Sequence, residues 1–251
     1  LKDKNVFILD HHSTSKINTH VFNINPLLFD VDGGKEVSGA GVTYLFSKSF
    51  DKGNTDLAYI ALIGAIGDVQ ENKGFKGINV DIILKDAIES GRIEVKQGLT
   101  LFGAYSRPLH KMLEYSTNPF IPGVSGSEIG AIKFLENLGI KHKDKDVFRK
   151  MSNLTNDEMK TLITGIILTR VGSEDKPDDI LGNVYLLKDE DFDLIKDLKE
   201  FSTLLNACGR LEKYATGIGT CLGLSGSKKE AVKIISEYKS ELVSGLNWFN
   251  K

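Results

Sequence analysis

The sequence predicts an α/β protein: part of a parallel sheet, then a helical module, then the start of a second α/β segment. Three observations carry this. Short apolar runs at Val6–Leu9, Val21–Ile24, Leu57–Ile66 and Ile78–Ile83 alternate with polar turns over the first 112 or so residues. Strand-then-helix alternation of that kind builds parallel sheets. The helix-breaking stretch Asn118-Pro119-Phe120-Ile121-Pro122-Gly123 then separates this region from an amphipathic, helix-patterned one.

Taken in order, Val6-Phe7-Ile8-Leu9 reads as a strand running into Asp10-His11-His12, with Ser13-Thr14-Ser15 ending it. Residues 40–50 and 57–66 fit helices as well as strands. Ser127-Glu128-Ile129 opens an amphipathic segment through Leu138, closed by Gly139. Thr155 followed by Glu158 three residues later predicts a capping box for a helix reaching about Thr169. Ser173–Asp179 is turn chemistry. Val184–Leu187 reads as a strand, 191–207 as a helix, Ile218–Leu222 as a strand or glycine-flanked turn, and Lys228–Phe249 as a long amphipathic helix.

The 251 residues are 41% apolar and 26% charged, enough for a sizeable core in one large or two medium domains. No apolar run approaches the roughly 18 residues of a membrane span, so a cytoplasmic location without membrane association is expected. Cys208 and Cys221 sit in apolar contexts without metal-site spacing and read as packing thiols. A net charge of −2 gives no global pull toward nucleic acid, which leaves room only for a local basic groove. Arg107 with His110 and Lys111, and Arg210 with Lys213, are the candidates. Lys141–Lys145 mixes signs and reads as a solvated loop. His20, His110 and His142 have no chemical neighbours in sequence and read as surface or packing residues.

Asp10-His11-His12 carries the strongest chemical signal. Neighbours on a strand point to opposite faces, so these three converge only if the strand ends there and the chain turns. One imidazole then serves as a metal ligand and the other faces an anionic substrate, with the aspartate as ligand or as the acceptor fixing a tautomer. A second apolar run delivers Asp68 just past Gly67, a carboxylate suited to a hard divalent cation. Ser38-Gly39-Ala40-Gly41 reads as a helix amino terminus able to hold a phosphate, and tight helix packing explains the same residues equally well.

The order Asp10-His11-His12, Asn25-Pro26, Ser38–Gly41, Gly64–Asp68 resembles the third and fourth motifs of the DHH phosphoesterase superfamily, in its RecJ-like branch. Ser106-Arg107-Pro108-Leu109, Pro119–Gly126 and Asn206–Arg210 are similar to archaeal RecJ-like exonucleases, including the GINS-associated nuclease related to Cdc45. This resemblance implies hydrolysis of single-stranded DNA or RNA, in replication or repair, at a centre of two divalent metals, Mn²⁺ first and Mg²⁺ as an alternative. It implies metal ligation by His11, Asp68 and Asp10, catalysis by these with His12, and substrate contact by His12, Ser38, Gly39, Arg107, Asn206 and Arg210. It divides the chain at 1–117 (DHH domain), 118–179 (helical insertion) and 180–251 (start of a DHHA1-like domain). It also implies motifs upstream of Asp10 and a Gly-Gly-Gly-His segment beyond Lys251, so the chain is expected to be the middle of a longer polypeptide, inactive alone and completed by that upstream segment in cis or trans. An inactive Cdc45-like scaffold binding GINS, and a phosphodiesterase for short oligonucleotides or cyclic dinucleotides, are the alternatives.

Overall fold

The computed structural model describes residues 4–13, 21–116 and 119–249; side chains beyond Tyr238, Glu241 excepted, are not described. Thr14, Ser15, His20 and Asn118, all singled out in the sequence, lie outside these residues. Helix dominates, with short strands, in two compact units: Leu1–Glu94 with Leu187–Lys251, and Val95–Leu186.

In the first unit, β1 (Phe7–Leu9) pairs in parallel with β2 (Phe22–Ile24), Ile8 opposite Asn23. The expected parallel arrangement is therefore present, as two strands. α1 (Gly39–Phe50) starts at Ser38, whose side chain accepts the Gly41 N–H. α2 (Ala58–Gly67) is the apolar run that fitted either periodicity. It is helical and buried nearly all round, with Leu62, Ile63 and Ala65 at most 1% exposed. A Cβ on Gly64 would lie 2.4 Å from that of Ala40, so the bare backbone lets α1 and α2 meet closely. Ile78–Ile83 falls largely in one π-helical turn, Asn79–Leu84, leading into α3 (Lys85–Glu89). Buried Asp86 there accepts from the Tyr44 hydroxyl at 2.6 Å and the Lys48 ammonium at 2.5 Å, tying α3 to α1.

The second unit contains most of β3 (Ile93–Leu99), then α4 (Leu109–Glu114), α5 (Glu128–Asn137), the two-residue strands β4 (Lys143–Asp144) and β5 (Val147–Phe148), α6 (Asn156–Arg170) and β6 (Leu181–Leu187), which pairs with β3. Its edges lie at Val95 and Leu186 rather than at 118 and 179, because Leu99, Leu101, Leu109, Met112 and Leu113 share one core with Ile121, Leu135, Leu162, Ile166 and Ile180. The capping box forms as the sequence predicts: Thr155 Oγ1 accepts the Glu158 N–H and the Glu158 carboxylate accepts the Thr155 N–H. Arg149 grips the same carboxylate through both terminal nitrogens at 2.8 Å and holds its pKa down to about 2. α6 ends on Arg170, 1% exposed, whose guanidinium donates to the Phe120 and Pro177 carbonyls and to Asp179, organising the Ser173–Asp179 turn.

The chain then returns to the first unit through α7 (Asp193–Lys196), α8 (Leu198–Arg210), α9 (Tyr214–Cys221) and α10 (Ser225–Phe249). The helix expected over 191–207 is broken at Asp197, which caps α8 by accepting the Lys199 N–H. Residues 218–221 belong to α9, neither strand nor turn. Its glycines serve packing: a Cβ on Gly219 would lie 2.1 Å from Ser227 Oγ, and one on Gly217 would lie 3.3 Å from Cys208 Cβ. Segment 187–249 is thus part of the same compact unit as 1–94, because α8 buries Leu198, Phe201, Leu204 and Ala207 in that unit's core, with α2 beside it. Both cysteines are free, and burial raises their pKa values. Among the described residues no helix is long and apolar enough to cross a membrane.

Candidate metal centre

The loop after β1 is built by its own side chains. Asp10 Oδ1 accepts the His11 N–H and the His12 Nδ1–H, each at 2.8 Å. His12 in this way holds the Asp10 carboxyl below its ordinary pKa, and Asp10 raises that of the exposed His12. Buried Asn25 caps the following turn by accepting the Leu27 N–H, and its side-chain amide donates to the His12 carbonyl at 2.8 Å. The Asn25-Pro26 pair therefore anchors the histidine loop to the end of β2.

His11 is fixed from the other side. Its Nδ1 lies 2.6 Å from the Gly33 carbonyl oxygen, which also accepts from Gln70 Nε2 at 3.0 Å. Gln70 Oε1 in turn accepts from Asn79 Nδ2 at 2.7 Å. A carbonyl only accepts, so the proton of neutral His11 sits on Nδ1 and Nε2 carries the lone pair. That lone pair faces the Asp68 carboxylate: Nε2 and Oδ2 are 3.5 Å apart. In that neutral form two acceptors face each other, and the gap is one that two ligand bonds of about 2.0–2.2 Å can span.

Asp68 reaches this place as the C-cap of α2, not from a strand end. The helix closes with Gln70 N–H on the Ala65 carbonyl and Val69 N–H on that of Ile66, the paired bonds of a Schellman ending. Val69 takes the left-handed conformation usually left to glycine, φ 58°. That turn sends Asp68 toward His11 and folds Gln70 back to Gly33. Gly33 itself is required by close approach, since a Cβ there would meet the His11 carbonyl oxygen at 2.3 Å.

The donor set fits a cation. Ligand atoms of Asp10, His11 and His12 all lie within 4.8 Å of one another, and the Asp68 carboxylate, outside that cluster, faces His11 Nε2. Ser38 spends its hydroxyl capping α1, and Gly39 stands beside the His11 ring, where a Cβ would lie 3.5 Å from Cδ2. Both readings of the Ser-Gly-Ala-Gly run thus have a share: a helix start next to His11, and small residues for packing. Asn206 and Arg210 lie exposed one turn apart on α8, near exposed Lys213.

Arg107 belongs to the second unit. Its guanidinium lies over the Phe102 and Tyr115 rings, 5.5 and 4.7 Å from their centroids. The basic groove expected from Arg107, His110 and Lys111 does not form: His110 is 2% exposed with its ring on Phe148, and Lys111 is paired with Glu114 and Glu128. Lys143 and Lys145 lie in the exposed β4–β5 hairpin, close to the solvated loop predicted. Gly33, Gln70 and Asn79 were not picked out in the sequence as site residues, because an amide and a glycine carry no metal-binding signal of their own.

With this geometry in view, likeness to known proteins is informative. Residues 101–181 match the family model described as the DHH-CID domain. The chain is 33% identical over 246 residues to an uncharacterized protein of Methanocaldococcus jannaschii, covering 96% of this chain and 52% of that protein. Its structure superposes on Cdc45 from Entamoeba histolytica with a TM-score of 0.67 at 13% identity, covering 99% of this chain and 55% of that one. The fold is Cdc45-like. The chain spans about half the length of each relative.

Proposed function

We propose that this chain carries part of a divalent-cation centre for phosphodiester hydrolysis on single-stranded nucleic acid, as in RecJ-like exonucleases. The observation that carries this reading is the confrontation of His11 Nε2 and Asp68 Oδ2, two acceptors 3.5 Å apart around space suited to a cation. Mn²⁺, or Mg²⁺, is the ion proposed, held by His11 and Asp68 with Asp10 as third ligand. When bound, it supplies Lewis acidity toward a phosphate oxygen and a water of lowered pKa. Asp10 already fills the orienting role through its bonds to both histidines. His12, tethered by Nδ1 to Asp10, leaves Nε2 outward, and in its imidazolium form, with both nitrogens protonated, it donates from Nε2 to a nonbridging phosphate oxygen. Asn206 and Arg210 are proposed to grip the backbone phosphates, for which a guanidinium edge is suited. Arg107 is a weaker contact, because aromatic rings already occupy it.

The test is hydrolysis of a 5′- or 3′-labelled single strand by the product of the complete reading frame. Mononucleotide release that requires Mn²⁺ and disappears in Asp68→Ala supports the proposal. No degradation of DNA or RNA with Mn²⁺ present refutes it. The likeness to Cdc45 favours a second reading, a scaffold within a replication assembly such as one containing GINS. Stable capture of GINS by a protein whose Asp68→Ala variant is unimpaired in every assay would favour that one.

A further inference from the structure

Beyond the ligands themselves, the first unit contains a buried chain of amides that ends on His11. Asn79, 0% exposed, opens the π-helical turn Asn79–Leu84, an irregularity often found at functional sites. Its backbone N–H donates to the Glu36 carbonyl at 2.8 Å, and its side-chain amide donates to Gln70, 5% exposed. The loop Asp32–Glu36 is thereby held at two of its carbonyls, Glu36 by Asn79 and Gly33 by Gln70. It is braced internally by the Glu36 carboxylate on the Asp32 N–H and by the Asp32 carboxylate on the Gly34 N–H. Donor directions along the chain admit one arrangement. Gly33 O can only accept, so Gln70 must present its NH₂ there and its oxygen to Asn79, and Asn79 must present its NH₂ to that oxygen.

We propose that Asn79, Gln70 and the Gly33 carbonyl form a tautomer clamp that keeps His11 protonated on Nδ1 and so commits Nε2 to a divalent cation shared with Asp68. Without the clamp, the Asp68 carboxylate is the strongest acceptor near the ring. It would draw the proton to Nε2, close the acceptor gap with an ordinary hydrogen bond, and remove the ligand. Gln70 and Asn79 are thus positioning residues, acting through Gly33 on His11 and touching no substrate. Outer partners of metal-ligating histidines typically govern affinity by 10–100-fold. The inference rests on the proposed cation reading, and the experiment separates the two.

The test is ¹⁵N-labelled whole chain at pH 8, where the ring tautomer of His11 is read from its two nitrogen shifts and two-bond couplings. Broadening of the same signals by Mn²⁺ reports binding. Wild type is expected to show the Nδ1–H form. Gln70→Leu, and Asn79→Asp, which cannot donate to Gln70, are each expected to shift His11 toward Nε2–H and to raise the Mn²⁺ needed for half-broadening at least tenfold. Using two variants guards against misfolding, and an unchanged amide spectrum elsewhere certifies the fold. Folded variants with unaltered tautomer and Mn²⁺ response would overturn the clamp and leave the cation reading intact, whereas wild type with its proton on Nε2 would overturn the clamp and remove the acceptor pair on which the cation reading rests. A wild type that shows the Nδ1–H form, lost in the variants, but no site-specific broadening by millimolar Mn²⁺ would overturn the cation reading and with it the clamp's role in metal binding.

Discussion

Val69 at the α2 ending and Gly33 beside His11 show how much local geometry one side chain can decide. Val69 holds a left-handed conformation that a β-branched residue adopts only at a cost of about 1–2 kcal/mol. Val69→Gly is therefore expected to stabilise the protein by about 1 kcal/mol in chemical denaturation, with Asp68 still facing His11. Gly33 is the opposite case. Its missing Cβ is what lets the loop carbonyl reach His11, so Gly33→Ala is expected to destabilise the fold and displace the ring, visible as a changed His11 tautomer. At this scale the sequence was legible where chemistry is written in the residue type. Asp10, His11, His12 and Asp68 announce themselves as metal-competent groups, and the structure brings His11 and Asp68 together. Gln70 and Asn79 stayed hidden because their role lies in direction and burial, which one-dimensional spacing does not encode.

Helix termini account for two further expectations. Asp197 caps α8 from a position 7% exposed, and burial pushes its carboxyl up to about 6. A carboxyl whose folded pKa lies above the unfolded value binds its proton more tightly when folded, so its contribution is fullest below about pH 4 and is lost as pH rises through about 6. Asp197→Asn keeps an accepting cap and removes the buried charge. It is expected to stabilise the protein at pH 8, by up to about 3 kcal/mol, with the gain fading toward pH 4 in urea titrations. Glu158 has the reverse sign. Arg149 depresses its carboxyl to about 2, so its stabilisation is present above about pH 4.5 and fades as pH falls through 2. Glu158→Gln should cost about 1–3 kcal/mol at pH 7 and little at pH 2, since it removes the two-bond ion pair with Arg149 while its amide oxygen keeps the capping box. That box was readable from Thr155 and Glu158 alone, because capping needs only two residue types at a fixed offset. α9 was not readable. Gly217 and Gly219 look like helix breakers until the neighbours they admit, Cys208 and Ser227, are known. β3 also escaped, its alternation blurred by Gly98 and by charged residues facing solvent.

For the molecule as a whole, charge sets the terms of any encounter with nucleic acid. A net charge of −2 and the burial or pairing of His110 and Lys111 leave Arg210, and more weakly Arg107, as the basic side chains proposed to meet nucleic acid. The salt dependence of single-strand binding should accordingly be shallow, with a log–log slope near −1 to −2 at about −0.7 per phosphate contacted. A slope of −6 would mean a broad basic surface instead. The α/β class, the parallel β1–β2 pair and the helical module were visible as periodicity and punctuation. The extent of the second unit was not, because the residues from Leu99 to Leu113 that join its core precede the proline-rich break that marks a boundary in the sequence. The proposed chemistry depends on a cation seated between one imidazole and one carboxylate. Crystals of the chain soaked in Mn²⁺, with data collected at the manganese edge, test this most directly. An anomalous peak within bonding distance of both His11 Nε2 and Asp68 Oδ2 is the predicted result; manganese bound elsewhere, with that gap left to water or closed by a hydrogen bond, would contradict it.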